Sequence, residues 1–334
     1  MSNISIIIPI LNEENYIKEC LNSILESDYP KEFIELLLVD GGSSDKTLLI
    51  IKEYQSKYDF IKLLHNKQKI VPISMNIAIK ESKGDYIIRL DAHSLYPKNY
   101  LSKLIYWHNK LDASNVGAVI TTEVKNKNKK SNSIKNILSS KFGVGNSDFR
   151  IGVNSPKEVD TVPFGCYKKE VFEKYGLYDE RLKRNQDIEL NKRIVNNKGK
   201  IYLIPDVKCT YFARETFKDL AKNNYANGKW NILTAFYTSS LNSLSIRHFI
   251  PLLFVLSLII PLFGSFIELN IIYITLLSFV SYLTLVIIIS FRLKSKENNL
   301  LYLISSFFVL HLSYGFGSLV GIMSVIKKMF KGEK

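Results

Sequence analysis

The sequence predicts an α/β domain built on a mostly parallel sheet, followed by a C-terminal region of transmembrane helices. Three observations predict it. The N-terminal two-thirds alternate short apolar runs with helix-periodic segments. Two of those runs stop abruptly at a carboxylate, Asp40 and Asp91. From residue 249 to 326 nearly every residue is apolar, with one charged break at "RLKSKENN" (292–299).

The elements follow in order. "ISIIIPI" (4–10) reads as a buried strand, and "NEENYIKECLNSILES" (12–27) as a helix with Ile17, Cys20, Leu21, Ile24 and Leu25 at helical spacing. "IELLLVDGGSSDKT" (34–47) is a strand entering a Gly-Ser turn and a helix start. "SMNIAIKES" (74–82) is helical, and "DYIIRLDAH" (85–93) is the next strand. A βαβαβ order implies parallel strands with right-handed crossovers. Ligands bind such sheets at the carboxyl ends of the strands, where Asp40 and Asp91 stand. Residues 121–159 are polar, basic and rich in Asn and Ser. They read as a long mobile loop over a site, with some helix in "IKNILSSKF". "GVGNSD" (143–148) lacks a third glycine and a preceding strand, so it is no dinucleotide fingerprint. No GxxxxGK[ST] occurs, which excludes a P-loop ATPase.

The tail divides into blocks at 246–266, 269–291 and 300–326, each long enough to span a bilayer. The expected division is a cytoplasmic domain over 1–240 and a membrane domain over 241–334. Arg292, Lys294 and Lys296 follow the second block and place the soluble domain in the cytoplasm by the positive-inside rule. The third block is basic at both flanks, so it either crosses once against that rule or bends back near "SYGFG" (313–317). A single crossing is favoured, because 27 residues cannot make two spans. "GSLVG" (317–321) is a GxxxG that could pack a neighbouring helix.

Composition narrows the partners. Lys and Arg total 45 against 31 Asp and Glu, a formal net charge of +14. That excess suits nucleotide phosphates or lipid headgroups. The basic residues form no arginine-rich stripe with interleaved aromatics, so no nucleic acid is expected. Cys20, Cys166 and Cys209 are widely spaced with no CxxC, which argues against a zinc knuckle or disulfide framework and for a reduced, cytosolic setting. No basic residue precedes the first apolar run and no cleavage site follows it, so no signal peptide is expected. The 19 Tyr and 19 Phe fit core packing and a membrane interface.

Three constellations could carry chemistry. In "VDGGSSDKT" (39–47), Asp40 could accept hydrogen bonds from a nucleobase imide or a ribose hydroxyl, with Gly41 letting the backbone approach a ligand. The competing reading is an ordinary turn with Ser43, Ser44 or Asp45 as helix cap. In "DAH", Asp91 and His93 lie two residues apart at a strand tip and point the same way. Their oxygen and nitrogen donors suit Mn²⁺ or Mg²⁺, with diphosphate oxygens completing the shell; a satisfied polar pair is the plainer alternative. In "RNQDIELNKR" (184–193), Asp187 opens a helix and is either its cap or a general base. The Pro-Phe-Gly-Cys turn with Gly165 and Cys166 could wall an acceptor pocket. Arg214 and Lys229 could hold a departing diphosphate, and Trp230 could lie at the water–lipid boundary.

Taken in order, these motifs resemble the family 2 glycosyltransferases of the GT-A fold, a Rossmann-like sheet. The resemblance covers roughly residues 4 to 232. It rests on "SIIIPILNEENYIKECLNSI", "ELLLVDGGSSDKT", "GDYIIRLDAHSLYP", "PFGCYKKEVFEKYGLYDERL" and "NQDIEL", and is strongest to the membrane-bound, succinoglycan-biosynthesis ExoA-like branch. It implies that Pro9, Asn12, Glu13 and Asp40 line the nucleotide pocket, with Gly41 and Asn76 among the substrate contacts. Asp91 and His93 would replace the family's Asp-x-Asp metal motif, His93 standing where the second Asp is usual. Asp187 would be the catalytic base, with Gln186 in place of the common acid before it. Asn223, Lys229 and Trp230 fall where the family has a Gln-x-x-Arg-Trp box. The implied function is inverting transfer of a sugar from a UDP- or GDP-sugar, with a divalent metal, to a lipid-linked or growing glycan acceptor at the cytoplasmic face of the plasma membrane. A polyprenyl-phosphate sugar synthase and a non-catalytic nucleotide-sugar-binding assembly subunit are the alternatives.

Overall fold

The structure is a computed structural model that describes residues 1–145, 147–238 and 248–332. In chain order its elements are β1 (Ile4–Ile10), α1 (Ile17–Leu25), β2 (Ile34–Asp40), α2 (Thr47–Gln55), β3 (Ile61–His65), α3 (Val71–Glu81), β4 (Tyr86–Arg89) and β5 (Ser94–Leu95). These are followed by α4 (Tyr100–Leu111), β6 (Asn115–Glu123), α5 (Lys129–Leu138), α6 (Lys141–Val144), α7 (Asp148–Ile151), β7 (Lys157–Glu158), β8 (Cys166–Lys168) and α8 (Glu170–Tyr175). The chain ends with α9 (Gln186–Asn196), β9 (Ile201–Phe212), α10 (Phe217–Tyr237), α11 (Ile250–Gly264), α12 (Ile272–Leu293) and α13 (Leu300–Phe330). The packing divides the chain into two units, one of residues 1–121 and 148–212, the other of 122–147 and 213–334. The expected domain boundary at 240/241, the expected helix start at 246 and Asn146 of "GVGNSD" lie outside the described residues.

In the first unit the sheet order is β3-β2-β1-β4-β8-β6-β9-β5, with β7 on β9. The strands from β3 to β4 are parallel, and β8 runs antiparallel to both β4 and β6. The sheet is therefore mixed, parallel only where helical crossovers separate the strands. The chain leaves β1 for β2 and β3 on one side and returns to β4 on the other. That reversal opens a crevice at the carboxyl ends of β1 and β4. Pro9 marks it: β1 pairs with β4 only from Ile4 to Ile7, so the ladder on that side has ended before the residue that lacks an N–H.

Both faces of the sheet are covered, which explains the near-continuous apolar runs. Ile4, Ile6, Ile8, Leu36, Leu38 and Ile88 face one cluster with Leu21, Ile51 and Leu104. Ile7, Leu37, Val39 and Ile87 face the other with Met75, Phe172 and Leu190. The alternation along each strand is the period-two geometry of a pleat.

The second unit, which holds 122–147, corrects the reading of 121–159 as a long loop with some helix in "IKNILSSKF": the helix starts earlier, at Lys129. Asn128 caps α5 by accepting from Lys130 N (3.0 Å) and Ser131 N (3.0 Å), and Ser131 Oγ accepts in return from Asn128 N (3.0 Å). Ile134 and Ile137 of α5 are buried with Val286, Leu303 and Phe307 of the C-terminal helices. A polar, Asn-rich composition hid the first part of this ten-residue helix, Lys129–Ser133. Leu269–Leu293 and Leu300–Phe330 are, among the described residues, the helices long and apolar enough to cross a membrane. The described helix before them, Ile250–Gly264, has 15 residues, about 22 Å at 1.5 Å per residue. α13 is one continuous helix through "SYGFG". The GxxxG packs as expected, but against α10: a Cβ at Gly317 would fall on the Tyr225 carbonyl, and one at Gly228 on that of Tyr314.

Candidate active site

The site is built on the loops that leave β1, β2 and β4. The first two are tied to each other. Gly41 N donates to Ile10 O (2.8 Å), Asn12 N to Ser43 Oγ (2.9 Å) and Glu13 N to Thr47 Oγ1 (2.8 Å). Asn12 Oδ1 accepts from Ser44 N (2.8 Å), a bond made from a left-handed backbone at φ 55°. Asp40 is 2% exposed. Its carboxylate accepts from Gly42 N (2.8 Å) and Ser43 N (3.0 Å), and the turn requires Gly42, whose φ is +86°. A carboxylate has about four acceptor sites, so Asp40 keeps capacity for a ligand. Ser43 and Ser44 bond to Asn12 across the loops, while Asp45 Oδ1 accepts from Thr47 N (3.0 Å) at the start of α2.

Beyond β4, one phenol fixes the "DAH" turn. Asp91 N donates to the Tyr96 hydroxyl (2.8 Å), which donates to Asp91 O (3.1 Å). Next to it, His93 Nδ1 lies 3.0 Å from Glu13 Oε1. Burial works against the charge on this imidazole. The bond to Glu13, with Tyr211 and Asp91 nearby, outweighs burial and holds its pKa up at about 10. The ring stands edge-on to Tyr211 at 5.0 Å and to Tyr16 at 6.2 Å.

Asp187 arrives from a different part of the chain, in the first turn of α9, where a helix N-terminus favours a negative charge. Its Oδ2 lies 3.6 Å from Arg89 Nη1, and Asp91 Oδ1 lies 3.3 Å from Arg89 Nη2. One guanidinium thus spans two carboxylates 96 positions apart in the chain (187 minus 91). Burial opposes the charge on Arg89, and Asp91 and Asp187 more than restore it. Asp187 is 30% exposed and Arg89 is 12% exposed, so the carboxylate faces the cleft and the cation lies behind it.

The structure brings Pro9, Asn12, Glu13, Asp40, Gly41, Asp91, His93 and Asp187 to the strand ends around the crevice. Other expected residues have different surroundings. The Asn76 amide donates to Tyr178 O (2.9 Å) and Glu180 Oε1 (2.9 Å) and accepts from Tyr178 N (3.0 Å), which ties α3 to the segment leading into Asp187. Cys166 is fully buried in β8, opposite Ile88. Gly165 accepts from Arg89 N (3.0 Å), and a Cβ there would press on Asn115 Oδ1 and the Tyr167 ring. Gln186 is buried, with Oε1 lacking a partner among the described residues. Arg214, Lys229 and Trp230 belong to the second unit, the last two on α10.

Arg89 and Tyr96 are functional candidates that the sequence reading passed over. Tyr96 stood in the quoted motif, and its spacing of five from Asp91 is the signal that could have found it. Arg89 closes an otherwise apolar strand, an expensive place for a cation without partners.

A GT-A fold implies a divalent ion, and the donor set fits one. Asp91 offers a hard oxygen. The bond from His93 Nδ1 to Glu13 orients the ring and holds it protonated, so Nε2 would ligate an ion only by giving up its proton to the ion's arrival. Among the described residues no group of three or more His, Cys, Asp or Glu could hold a metal by itself. Substrate oxygens and water would therefore complete the shell.

Comparison with known proteins identifies the family and the fold. Residues 5–176 match Glycosyl transferase family 2. A Methanococcus voltae protein named dolichyl N-acetyl-alpha-D-glucosaminyl phosphate 3-beta-D-2,3-diacetamido-2,3-dideoxy-beta-D-glucuronosyltransferase is 33% identical over 239 residues, 68% of this chain and 72% of its own. The succinoglycan biosynthesis protein ExoA of Rhizobium meliloti is 26% identical over 226 residues, 67% of each chain. Staphylococcus aureus TarS 1–349, solved with UDP-GlcNAc, superposes with a TM-score of 0.53 at 16% identity, covering 99% of this chain and 92% of that one. GalNAc-T7, solved with UDP, GalNAc and Mn²⁺, gives 0.51 at 16% identity over 64% of this chain and 44% of that one. The two structures share the fold.

Proposed function

The chain belongs to glycosyl transferase family 2 and is a glycosyltransferase of glycan biosynthesis, and from that premise we propose that it is an inverting, membrane-anchored enzyme that transfers a sugar from a nucleotide-sugar donor to a lipid-linked glycan. The observation that carries the proposal is the shared guanidinium: Arg89 holds Asp91 and Asp187 at one cleft.

The chemistry follows from the placement. Asp40 and the turn after β2 hold the nucleoside, UDP or GDP, through hydrogen bonds. Asp91 and His93 would hold a divalent ion, Mn²⁺ or Mg²⁺, which when bound neutralises charge on the diphosphate. Asp187 accepts the proton of the acceptor hydroxyl as its oxygen attacks the anomeric carbon. The bond from that carbon to the diphosphate oxygen breaks, the nucleoside diphosphate departs with the electron pair, and the configuration inverts. No covalent enzyme intermediate forms.

Two features support a lipid-linked acceptor and a membrane location. The name of the Methanococcus voltae relative describes transfer to a dolichyl-phosphate sugar. In this chain, the apolar residues Phe266 and Ile267 between α11 and α12 are 82% and 91% exposed, which suits a lipid surroundings. Arg292 in the last turn of α12 and Lys294 and Lys296 just after it support a cytoplasmic catalytic unit and a multi-pass anchor in the plasma membrane.

The test is a donor screen in membranes that contain the protein, reading UDP or GDP release and lipid-linked product with polyprenyl phosphate and with a polyprenyl-linked sugar supplied separately. Transfer to the polyprenyl-linked sugar, lost in Asp187→Asn, is expected. Transfer to polyprenyl phosphate alone would make the protein a polyprenyl-phosphate sugar synthase. Binding of a donor with no transfer to either would make it a binding subunit.

A further inference from the structure

Arg89 is the buried cation of this site, and no step of the transfer just described uses it. Its backbone is fixed at the end of β4: Arg89 pairs with Ile7 and donates from N to Gly165 O (3.0 Å). Its side chain makes two ion pairs, 3.3 Å to Asp91 and 3.6 Å to Asp187. Its Nε is buried and has no hydrogen-bond partner among the described residues. A guanidinium so removed from water needs compensation, and the charge that provides it comes from these two carboxylates.

We propose that Arg89 is a positioning residue whose planar fork sets the distance and orientation between the donor-side carboxylate Asp91 and the acceptor-side carboxylate Asp187. This rests on the assignment of Asp187 as base. The physical argument has two parts. Two carboxylates facing one half-buried cleft repel each other, and the donor brings further negative charge; the cation between them removes that repulsion. A guanidinium is also rigid and presents donors in fixed directions, so it can hold two separate carboxylates at once, whereas an ammonium is a point charge on a flexible stem. Because Arg89 ends a central strand, both carboxylates take their reference from the sheet. The base then meets the acceptor hydroxyl in the geometry that transfer requires. Arg89 needs no contact with substrate to do this.

The test is a pair of double-mutant cycles on the full-length protein in detergent or membranes. In the first, turnover and donor KM are measured for Arg89→Gln, Arg89→Lys, Asp187→Glu and Arg89→Gln/Asp187→Glu. The expectation is a kcat loss of about 30-fold or more in Arg89→Gln, with donor KM within about threefold of wild type and partial recovery in Arg89→Lys. On the Asp187→Glu background the further loss shrinks to about threefold or less, because the geometry Arg89 maintains is already disturbed. In the second cycle the thermal midpoint is read without donor. Arg89→Gln lowers it, and adding Asp187→Asn recovers at least half of the drop by removing a carboxylate left uncompensated. Turnover of Arg89→Gln close to wild type, a loss that persists in full on Asp187→Glu, or thermal effects that simply add would each overturn the proposal. A wild-type protein that transfers no sugar would end the functional reading, while the thermal cycle would still decide whether Arg89 bridges the two carboxylates.

Discussion

Tyr96 places its hydroxyl between the N–H and the carbonyl of Asp91, 2.8 Å and 3.1 Å away. Tyr96→Phe removes both bonds and keeps the ring against Tyr100 and Phe164. The expected result is a loss of about 1–2 kcal/mol in stability and a weaker donor complex, read as a rise of threefold or more in donor Kd in the presence of Mn²⁺. Donor affinity equal to wild type would remove Tyr96 from the site. At this scale the sequence exposed the groups whose chemistry is conspicuous. Asp40, Asp91 and His93 stand at strand ends and Asp187 at a helix start, and topology alone brings the first three together. Arg89 was hidden because its meaning depends on a carboxylate 98 positions away (187 minus 89), a distance no local pattern encodes. Asn76 and Cys166 show the opposite effect. Their residue types suit a site, but the amide is committed to Tyr178 and Glu180 and the thiol to the core.

Among the elements, α4 carries a buried histidine that links fold to pH. His108 is 0% exposed, its ring 5.1 Å from that of Tyr86. Burial, with Lys168 nearby, holds the imidazole down to about 4. An unfolded histidine titrates near 6.5. Between those values the unfolded chain binds the proton and the folded chain does not, so stability present above about pH 6.5 is lost as pH falls towards about 4, by up to about 3 kcal/mol. The expected outcome is that His108→Phe flattens the decline in thermal midpoint over this window relative to wild type. An unchanged decline would contradict it. The parallel strands β1, β2 and β4 and the helices α1, α3 and α9 were legible because their apolar spacing is undiluted, whereas the parallel edge strand β3, "IKLLH", was not read. The antiparallel strands β5, β7 and β8 were not, being two or three residues each. α5 was read only at its end, in "IKNILSSKF", and its first turn was missed for another reason. Its capping box and its two buried isoleucines, Ile134 and Ile137, are a weak signal inside a run of Lys, Asn and Ser.

At the scale of the whole molecule, the chain joins a soluble-type α/β unit to apolar helices with little burial. Along the most apolar stretch of Leu269–Leu293 only 6% of the residues are buried inside the protein. Such a surface is expected to keep the protein in the membrane through alkaline carbonate extraction, whereas release into the supernatant would mean attachment by the +14 net charge alone. The sequence read the apolar tail directly, because hydropathy needs no tertiary information. It did not read that 122–147 and α10 pack with that tail, since their partners are remote in the chain. The account depends on a division of labour between carboxylates within one cleft, donor binding to Asp40 and Asp91 and proton removal to Asp187. The direct measurement is donor affinity and turnover on the same preparation of Asp187→Asn. The account predicts a Kd within about threefold of wild type and a kcat lowered by about 10²–10⁴. Turnover near wild type, or turnover and affinity lost together in a protein of unchanged thermal midpoint, would contradict it.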